Sequence, residues 1–108
     1  MKQFLILLKG KIELDYSAEA LQGRLDEYDQ WVTQINEYYI DDNRLERDGV
    51  HILDKDHLQT DGPFLETKEI IAGFIIIQAS DLNQATDIAR SSPLLKYFEM
   101  YVRPIIAK

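Results

Sequence analysis

The chain has 108 residues, no cysteine and a formal net charge of −7, which indicates one domain over residues 1–108 that is stabilised by packing alone. A chain of this length buries about two thirds of its unfolded surface, and without cysteine it has no disulfides, thiolate metal sites or cysteine nucleophiles. The negative charge disfavours nucleic acids and anionic membrane surfaces as partners, and no apolar run approaches the roughly 20 residues of a membrane-spanning helix.

The first predicted elements are a strand and a long helix. The apolar run at residues 4–8 is too short for a helix and fits a strand that is covered on both faces. Ser17 is a favourable N-cap, with Glu19 in the first turn. Apolar side chains then recur at alternating spacings of four and three, which predicts an amphipathic helix that ends near Tyr39. This apolar stripe comprises Leu21, Leu25, Tyr28, Val32, Ile35 and Tyr39.

A β-hairpin is predicted in the middle of the chain. Residues 41–43, Asp-Asp-Asn, are break signals. Residues 50–53 and 57–60 favour two short strands, and the charged residues between them favour a turn. Asp-Gly-Pro at residues 61–63 ends the second strand, because proline has no amide donor for a sheet ladder.

A strand, a helix and a last strand complete the chain. Residues 70–78 are rich in isoleucine and phenylalanine and predict a central strand, in which Gly73 marks a bulge or a close approach between backbones. Asp81 opens a second helix through a capping box with the glutamine three residues later, and Pro93 ends this helix. Alternating polar and apolar residues over 97–102 predict the final strand.

This element order predicts an α+β domain with a ferredoxin-like βαββαβ fold, in which two helices cover one face of an antiparallel sheet. The strands at 4–8 and 70–77 are apolar at successive positions, so the other face would expose an apolar patch in a monomer. A second copy of the chain is the simplest cover, and we expect a homodimer. We also expect a cytoplasmic location, because the run at 4–8 lacks the length and cleavage site of a signal peptide.

The segment at residues 60–69 has the distinctive sequence TDGPFLETKE. Together with Gly73-Phe74 and the Val-Arg-Pro-Ile sequence at 102–105, it resembles the signature of the DGPF-domain proteins, a branch of the YCII-related family. The resemblance implies a ferredoxin-like fold that dimerises into an α/β-barrel-like assembly with a pocket beside the sheet. It implies no general activity.

The resemblance also implies two candidate catalytic residues, Tyr28 and Asp61. In YCII-related proteins a histidine on the first helix, with an aspartate nearby, is regarded as an active-site pair, and the equivalent position here is Tyr28. Asp61 is the carboxylate that the motif of the DGPF branch supplies. Because the helix position holds tyrosine, a histidine-based mechanism is not expected for this chain.

The residues themselves leave structural alternatives open. Asp61 could act as a general base or orient a ligand, yet Asp-Gly-Pro is also ordinary turn chemistry in which the aspartate accepts a backbone hydrogen bond. The Tyr28 hydroxyl could reach a ligand, or the ring could be a core residue of the helix stripe. Trp31, one turn later, could form an apolar wall of the pocket or contact the second subunit.

Other polar residues carry weaker signals. Glu66, Thr67 and Lys68 could close the mouth of the pocket or form only local ion pairs. The histidines and aspartates of the hairpin lack the spacing of a zinc motif, so no metal site is expected. Motifs for nucleotide binding and for serine hydrolases are missing from the sequence, and we expect no cofactor.

Two hypotheses about function follow. In the first, a homodimer binds a small organic molecule in a pocket near Asp61, Tyr28 and residues 66–68, with scope for acid/base chemistry that needs no cofactor. In the second, the chain is a non-catalytic ligand sensor or protein-interaction module, and the motif only stabilises the dimer. The fold alone does not distinguish them.

Overall fold

The computed structural model of the chain describes residues 1–61 and 70–108, and for residues 60 and 61 it describes the backbone alone. A short 3-10 helix, Pro93–Lys96, precedes the last strand. The strands and α-helices in chain order are β1 (Lys2–Gly10), α1 (Ala18–Gln34), β2 (Tyr39–Arg44), β3 (Gly49–Asp54), β4 (His57–Asp61), β5 (Ile71–Ala79), α2 (Leu82–Arg90) and β6 (Phe98–Pro104).

Four of these strands form one antiparallel sheet in the order β2-β5-β1-β6. Each helix connects two parallel strands that have a third strand between them, because α1 joins β1 to β2 and α2 joins β5 to β6. This is the ferredoxin-like βαββαβ arrangement. The predicted α+β class and topology are therefore confirmed, whereas the dimeric assembly stays a prediction.

The core lies between the helices and one face of the sheet. Side chains alternate between the two faces along a strand, and in the two central strands every second residue is buried. Trp31 of α1 is 1% exposed and is among the largest side chains of this core. The other buried members are Phe4, Ile6, Leu8, Ile35, Ile75, Ile77, Ala79, Ala85, Ile88, Ala89 and Leu94.

The two helices begin where the sequence predicts. The Ser17 hydroxyl accepts a hydrogen bond from the Ala20 amide at 3.2 Å, and the Asp81 carboxylate accepts one from the Gln84 amide at 2.8 Å. The Gln84 side chain in turn accepts the Ser80 amide at 2.6 Å. Neither described helix has the length and apolar character of a membrane-spanning segment.

The first helix is shorter than predicted, and a strand follows it. α1 ends at Gln34, and after a turn Tyr39 begins β2 instead of ending the helix. Tyr39 packs against the same core, but from the sheet. It is therefore apolar and four residues after Ile35, as on a helix, although it belongs to a strand. Asp-Asp-Asn at 41–43 is tolerated because β2 is an edge strand of the sheet.

The predicted hairpin forms, but outside the main sheet. Among the described residues, β3 and β4 pair only with each other, as a separate two-stranded sheet. Every residue of β3 is exposed, including Val50 at 59% and Ile52 at 66%. The hairpin is therefore an insertion between β2 and β5, and β2 is the second strand of the ferredoxin-like fold.

Gly73 marks a close approach between β2 and β5, as predicted. A Cβ atom at this position would lie 2.6 Å from the Asn43 carbonyl oxygen and 3.3 Å from the Arg44 Cα. Both neighbours are backbone atoms of the adjacent strand, so only glycine allows this strand spacing. The β1–β5 register also shifts beside it, between Leu8 and Lys9.

The sheet face opposite the helices is largely apolar. In the central strands β1 and β5, the residues of this face alternate with the buried residues. Their apolar side chains are half-buried. Tyr101 of β6, which pairs with Leu7, is 49% exposed on this face. We call Leu5, Leu7, Phe74, Ile76 and Tyr101 the outer sheet face.

Candidate functional site

A cavity of about 650 Å³ lies between α1 and the helix-covered side of the sheet, and we call it the helix–sheet cavity. Its volume falls within the roughly 300–1,000 Å³ of small-molecule sites. Leu25 of α1, Ile75 of β5 and Phe98 of β6 give it apolar walls, whereas β2 and the residues after it provide polar groups. This is the chemical character of a ligand pocket, mostly apolar with a few polar groups.

A tyrosine–aspartate pair joins two walls of the helix–sheet cavity. The hydroxyl of Tyr28, on α1, donates a hydrogen bond to the Asp42 Oδ2 atom of β2, and both residues line the cavity. Asp42 faces the helices because the β2–β5 register shifts between Tyr39 and Asp41. Without that irregularity the side-chain alternation would put Asp41 on the cavity side and Asp42 on the opposite face.

Burial is the main cause of a raised pKa at Tyr28, and the hydrogen bond and negative charge of Asp42 add to it. The Tyr28 hydroxyl therefore stays protonated at neutral pH and acts as a hydrogen-bond donor. Tyr39 also hydrogen-bonds to the Asp42 carboxylate, and because each carboxylate oxygen has two lone pairs, the group can still accept a hydrogen bond from a ligand. The pair can fix a ligand hydroxyl or accept a proton.

The raised pKa of Tyr28 predicts a loss of stability at high pH. Because the folded-state pKa lies above the unfolded value near 10, the contribution of the protonated hydroxyl is complete below pH 10 and falls as the pH rises beyond it. The free energy of unfolding of the wild type, relative to Tyr28→Phe, should decrease by up to about 1.4 kcal/mol per pH unit above 10. Urea unfolding from pH 8 to 11.5 measures this, and a constant difference would contradict it.

Three arginines also line the helix–sheet cavity, and two are engaged by aromatic rings. Arg24 donates to the Asp15 carbonyl oxygen at 2.9 Å, and its guanidinium carbon lies 5.9 Å from the Tyr16 ring centroid. The Arg47 guanidinium carbon lies 5.4 Å from the same ring. Within residues 1–61 and 70–108, the Arg44 side chain has no hydrogen-bond or ion-pair partner.

Of the site residues predicted from the sequence, Tyr28 lies in the cavity wall and Trp31 in the core. The Trp31 indole N–H donates to the Ser91 hydroxyl at 2.9 Å, and its ring centroid lies 6.1 Å from that of Tyr28. Trp31 therefore contacts the cavity residue Tyr28 from the core. Its predicted role in ligand binding is not tested by this placement.

The other predicted site residues are not described. Asp61 ends β4, but its side chain lies outside the description, as do Glu66, Thr67 and Lys68. The chain is described again from Ile70, which lines the helix–sheet cavity. The roles proposed for these four residues stay predictions.

Asp42 and Arg44 are the candidate site residues that the sequence analysis did not identify. The Asp-Asp-Asn run indicates a break between elements, so the sequence predicts no face for its side chains. Two signals were available, namely the strand-forming Tyr-Tyr-Ile that precedes the run and the aspartate that the family resemblance implies near the helix residue. Neither signal distinguishes Asp41 from Asp42.

Comparisons with known proteins agree with this architecture. The model of the YCII-related domain matches residues 15–107. Among solved structures, the chain is similar to 5-chloro-2-hydroxyhydroquinone dehydrochlorinase (TftG) from Burkholderia phenoliruptrix AC1100 in complex with 2,5-dihydroxybenzoquinone. That likeness has a TM-score of 0.53 at 16% identity and covers 98% of this chain and 95% of the other, so it concerns the fold alone. A search of curated proteins found no match.

Proposed function

The chain belongs to the YCII-related family, and we propose that its helix–sheet cavity binds a small organic molecule and exchanges a proton with it. The observation that carries this proposal is the Tyr28–Asp42 hydrogen bond in the wall of a cavity of ligand size. The solved neighbour of similar fold binds a small oxygenated ring, which supports a ligand of this size. The chemistry proposed needs no cofactor.

In this proposal Asp42 is the proton acceptor and Tyr28 is the group that orients it. A ligand O–H or activated C–H that points at the second oxygen of Asp42 transfers its proton there, and the electron pair stays on the ligand. The Tyr28 hydroxyl holds the other carboxylate oxygen in place. The apolar walls lower the polarity around the ligand, which strengthens these polar contacts.

The experiment uses hydroquinone, a neutral ring with two hydroxyl donors, in an NMR titration. We expect shift changes at cavity residues such as Leu25 and Ile75. Asp42→Asn should weaken binding by about tenfold, since a charged acceptor becomes neutral. Tyr28→Phe should weaken it less, because the carboxylate remains.

Asp41→Asn is the matched control, because it makes the same chemical change one residue away, on the opposite face of β2. It should leave hydroquinone binding unchanged. Equal losses from the two aspartate variants would contradict the proposed site, as would shift changes confined to the outer sheet face.

The alternative is a non-catalytic interaction module. The observation in its favour is the apolar surface of the β3–β4 hairpin, where Val50, Ile52, Leu53 and Leu58 are between 56% and 66% exposed. In this case hydroquinone would cause no shift changes at the residues of the helix–sheet cavity, even in the wild type.

We further propose that two copies of the chain pair through the outer sheet face. An apolar sheet face of this kind is a poor surface for a monomer, and a second copy offers the same apolar face for a symmetric contact. We also assign the chain to the DGPF branch, on the sequence at residues 60–69. The cytoplasmic location expected from the sequence stays a prediction.

A further inference from the structure

Resting on the proposed function of the helix–sheet cavity, we propose that its ligand is a small organic acid with groups at two ends. Its anionic group binds the Arg44 guanidinium, and a hydroxyl at its other end donates to Asp42. Arg44 is thus the residue that selects anionic ligands over neutral ones.

Asp42 and Arg44 lie on the same side of β2. Asp42 pairs with Ile75 and Arg44 with Gly73, so both lie on the cavity side of the same strand. Positions two residues apart on a strand are separated by roughly 7 Å. Gly73 contributes no side chain beside Arg44. The strand therefore presents a carboxylate and a guanidinium side by side, at a separation that a single six-membered ring with substituents can span.

The three arginines of the helix–sheet cavity differ in how far other groups already engage them. The Arg24 guanidinium already donates to the Asp15 carbonyl oxygen and lies 5.8 Å from the Tyr97 ring centroid, and Arg47 is stacked on Tyr16. Arg44 ends β2 with an exposed side chain. A guanidinium offers a planar fork of donors that matches a carboxylate, so Arg44 is the best anion-binding group here.

The charges around the cavity fix the orientation of the ligand. Asp42 repels an anionic group placed beside it, and its carboxylate favours a hydrogen-bond donor. Asp29 and Glu46 also line the helix–sheet cavity, so an anion is not favoured everywhere within it. The anionic end must lie toward Arg44 and the hydroxyl end toward Asp42, with the apolar ring against walls such as Leu25.

The test measures the binding of 4-hydroxybenzoate and of its neutral isostere, 4-hydroxybenzamide, by isothermal titration calorimetry. We expect the wild type to bind the anion more tightly than the amide. Arg44→Gln should weaken the binding of 4-hydroxybenzoate by about tenfold or more. It should change the affinity for 4-hydroxybenzamide by less than about twofold. Arg44→Lys should retain part of the preference, because it keeps the charge but not the fork.

Arg90→Gln is the matched control, since it removes the same charge from an exposed position in the last turn of α2, and Arg90 does not line the helix–sheet cavity. It should leave both affinities unchanged. Equal binding of the two compounds, or an Arg44→Gln variant that still prefers the anion, would overturn this inference while hydroquinone binding still supported the cavity. Failure of hydroquinone to bind would overturn the proposed function itself.

Discussion

Replacing Trp31 by alanine is expected to lower the free energy of unfolding by about 3–5 kcal/mol. The side chain is 1% exposed in the core between the sheet and the helices, so its removal leaves a void that rigid neighbours fill only in part. It also removes the hydrogen bond from the indole to Ser91 at the end of α2. Since the free energy of unfolding of a domain is only about 5–15 kcal/mol, this single change removes a large part of the stability. Urea unfolding measures the loss.

Trp31→Phe is the control for that experiment. It keeps most of the apolar volume but loses the hydrogen bond, so it should cost less than the alanine variant. The alanine variant also separates the core position of Trp31 from its predicted role as a wall of the ligand pocket. A Trp31→Ala protein of nearly unchanged stability that fails to bind hydroquinone would show that the ring serves the ligand and not the core.

A lysine at position 7 is expected to convert the proposed homodimer into a monomer. Leu7 lies at the centre of the outer sheet face, paired with Phe74 on one side and Tyr101 on the other. An unpaired charge buried there costs several kcal/mol, which shifts the dissociation constant by orders of magnitude. Analytical ultracentrifugation at micromolar concentration should give twice the 12.6 kDa chain mass for the wild type and the chain mass for Leu7→Lys.

Gln22→Lys is the control for the oligomeric state, because it adds the same charge on the exposed surface of α1. It should sediment like the wild type. A wild type of 12.6 kDa at these concentrations would refute the dimer, and so would a Leu7→Lys variant that keeps the wild-type mass. Leu7 is only half-buried in the protomer, so the variant can fold as a monomer.

Most of the fold could be predicted from local sequence patterns. Both helix starts follow from capping side chains within four residues of the backbone groups they bind, and β1 and β5 follow from continuous apolar runs. The end of α1 could not be predicted from spacing. Ile35 and Tyr39 are four residues apart as on a helix, yet they reach the same core from a turn and from a strand.

The candidate site was less predictable than the fold. Tyr28 came from a family resemblance, but its partner depends on a register shift in β2, which sequence alternation cannot reveal. Asp41 and Asp42 are chemically identical neighbours, and only the three-dimensional pairing with β5 decides which one faces α1. Arg44 could not be predicted either, because the sequence indicates a break at residues 41–43 instead of the strand that carries Arg44.

The position of β2 at the sheet edge has a consequence for how rigid this site is. In the part of the chain that the structure describes, β2 is bonded to β5 along one side only, whereas β1 and β5 each have neighbours on both sides. Edge strands open at a lower free energy than the centre of a sheet, without unfolding of the whole domain. The carboxylate and the guanidinium thus belong to a strand that a single ladder of hydrogen bonds holds in place, so their spacing depends on how firmly β2 stays paired with β5.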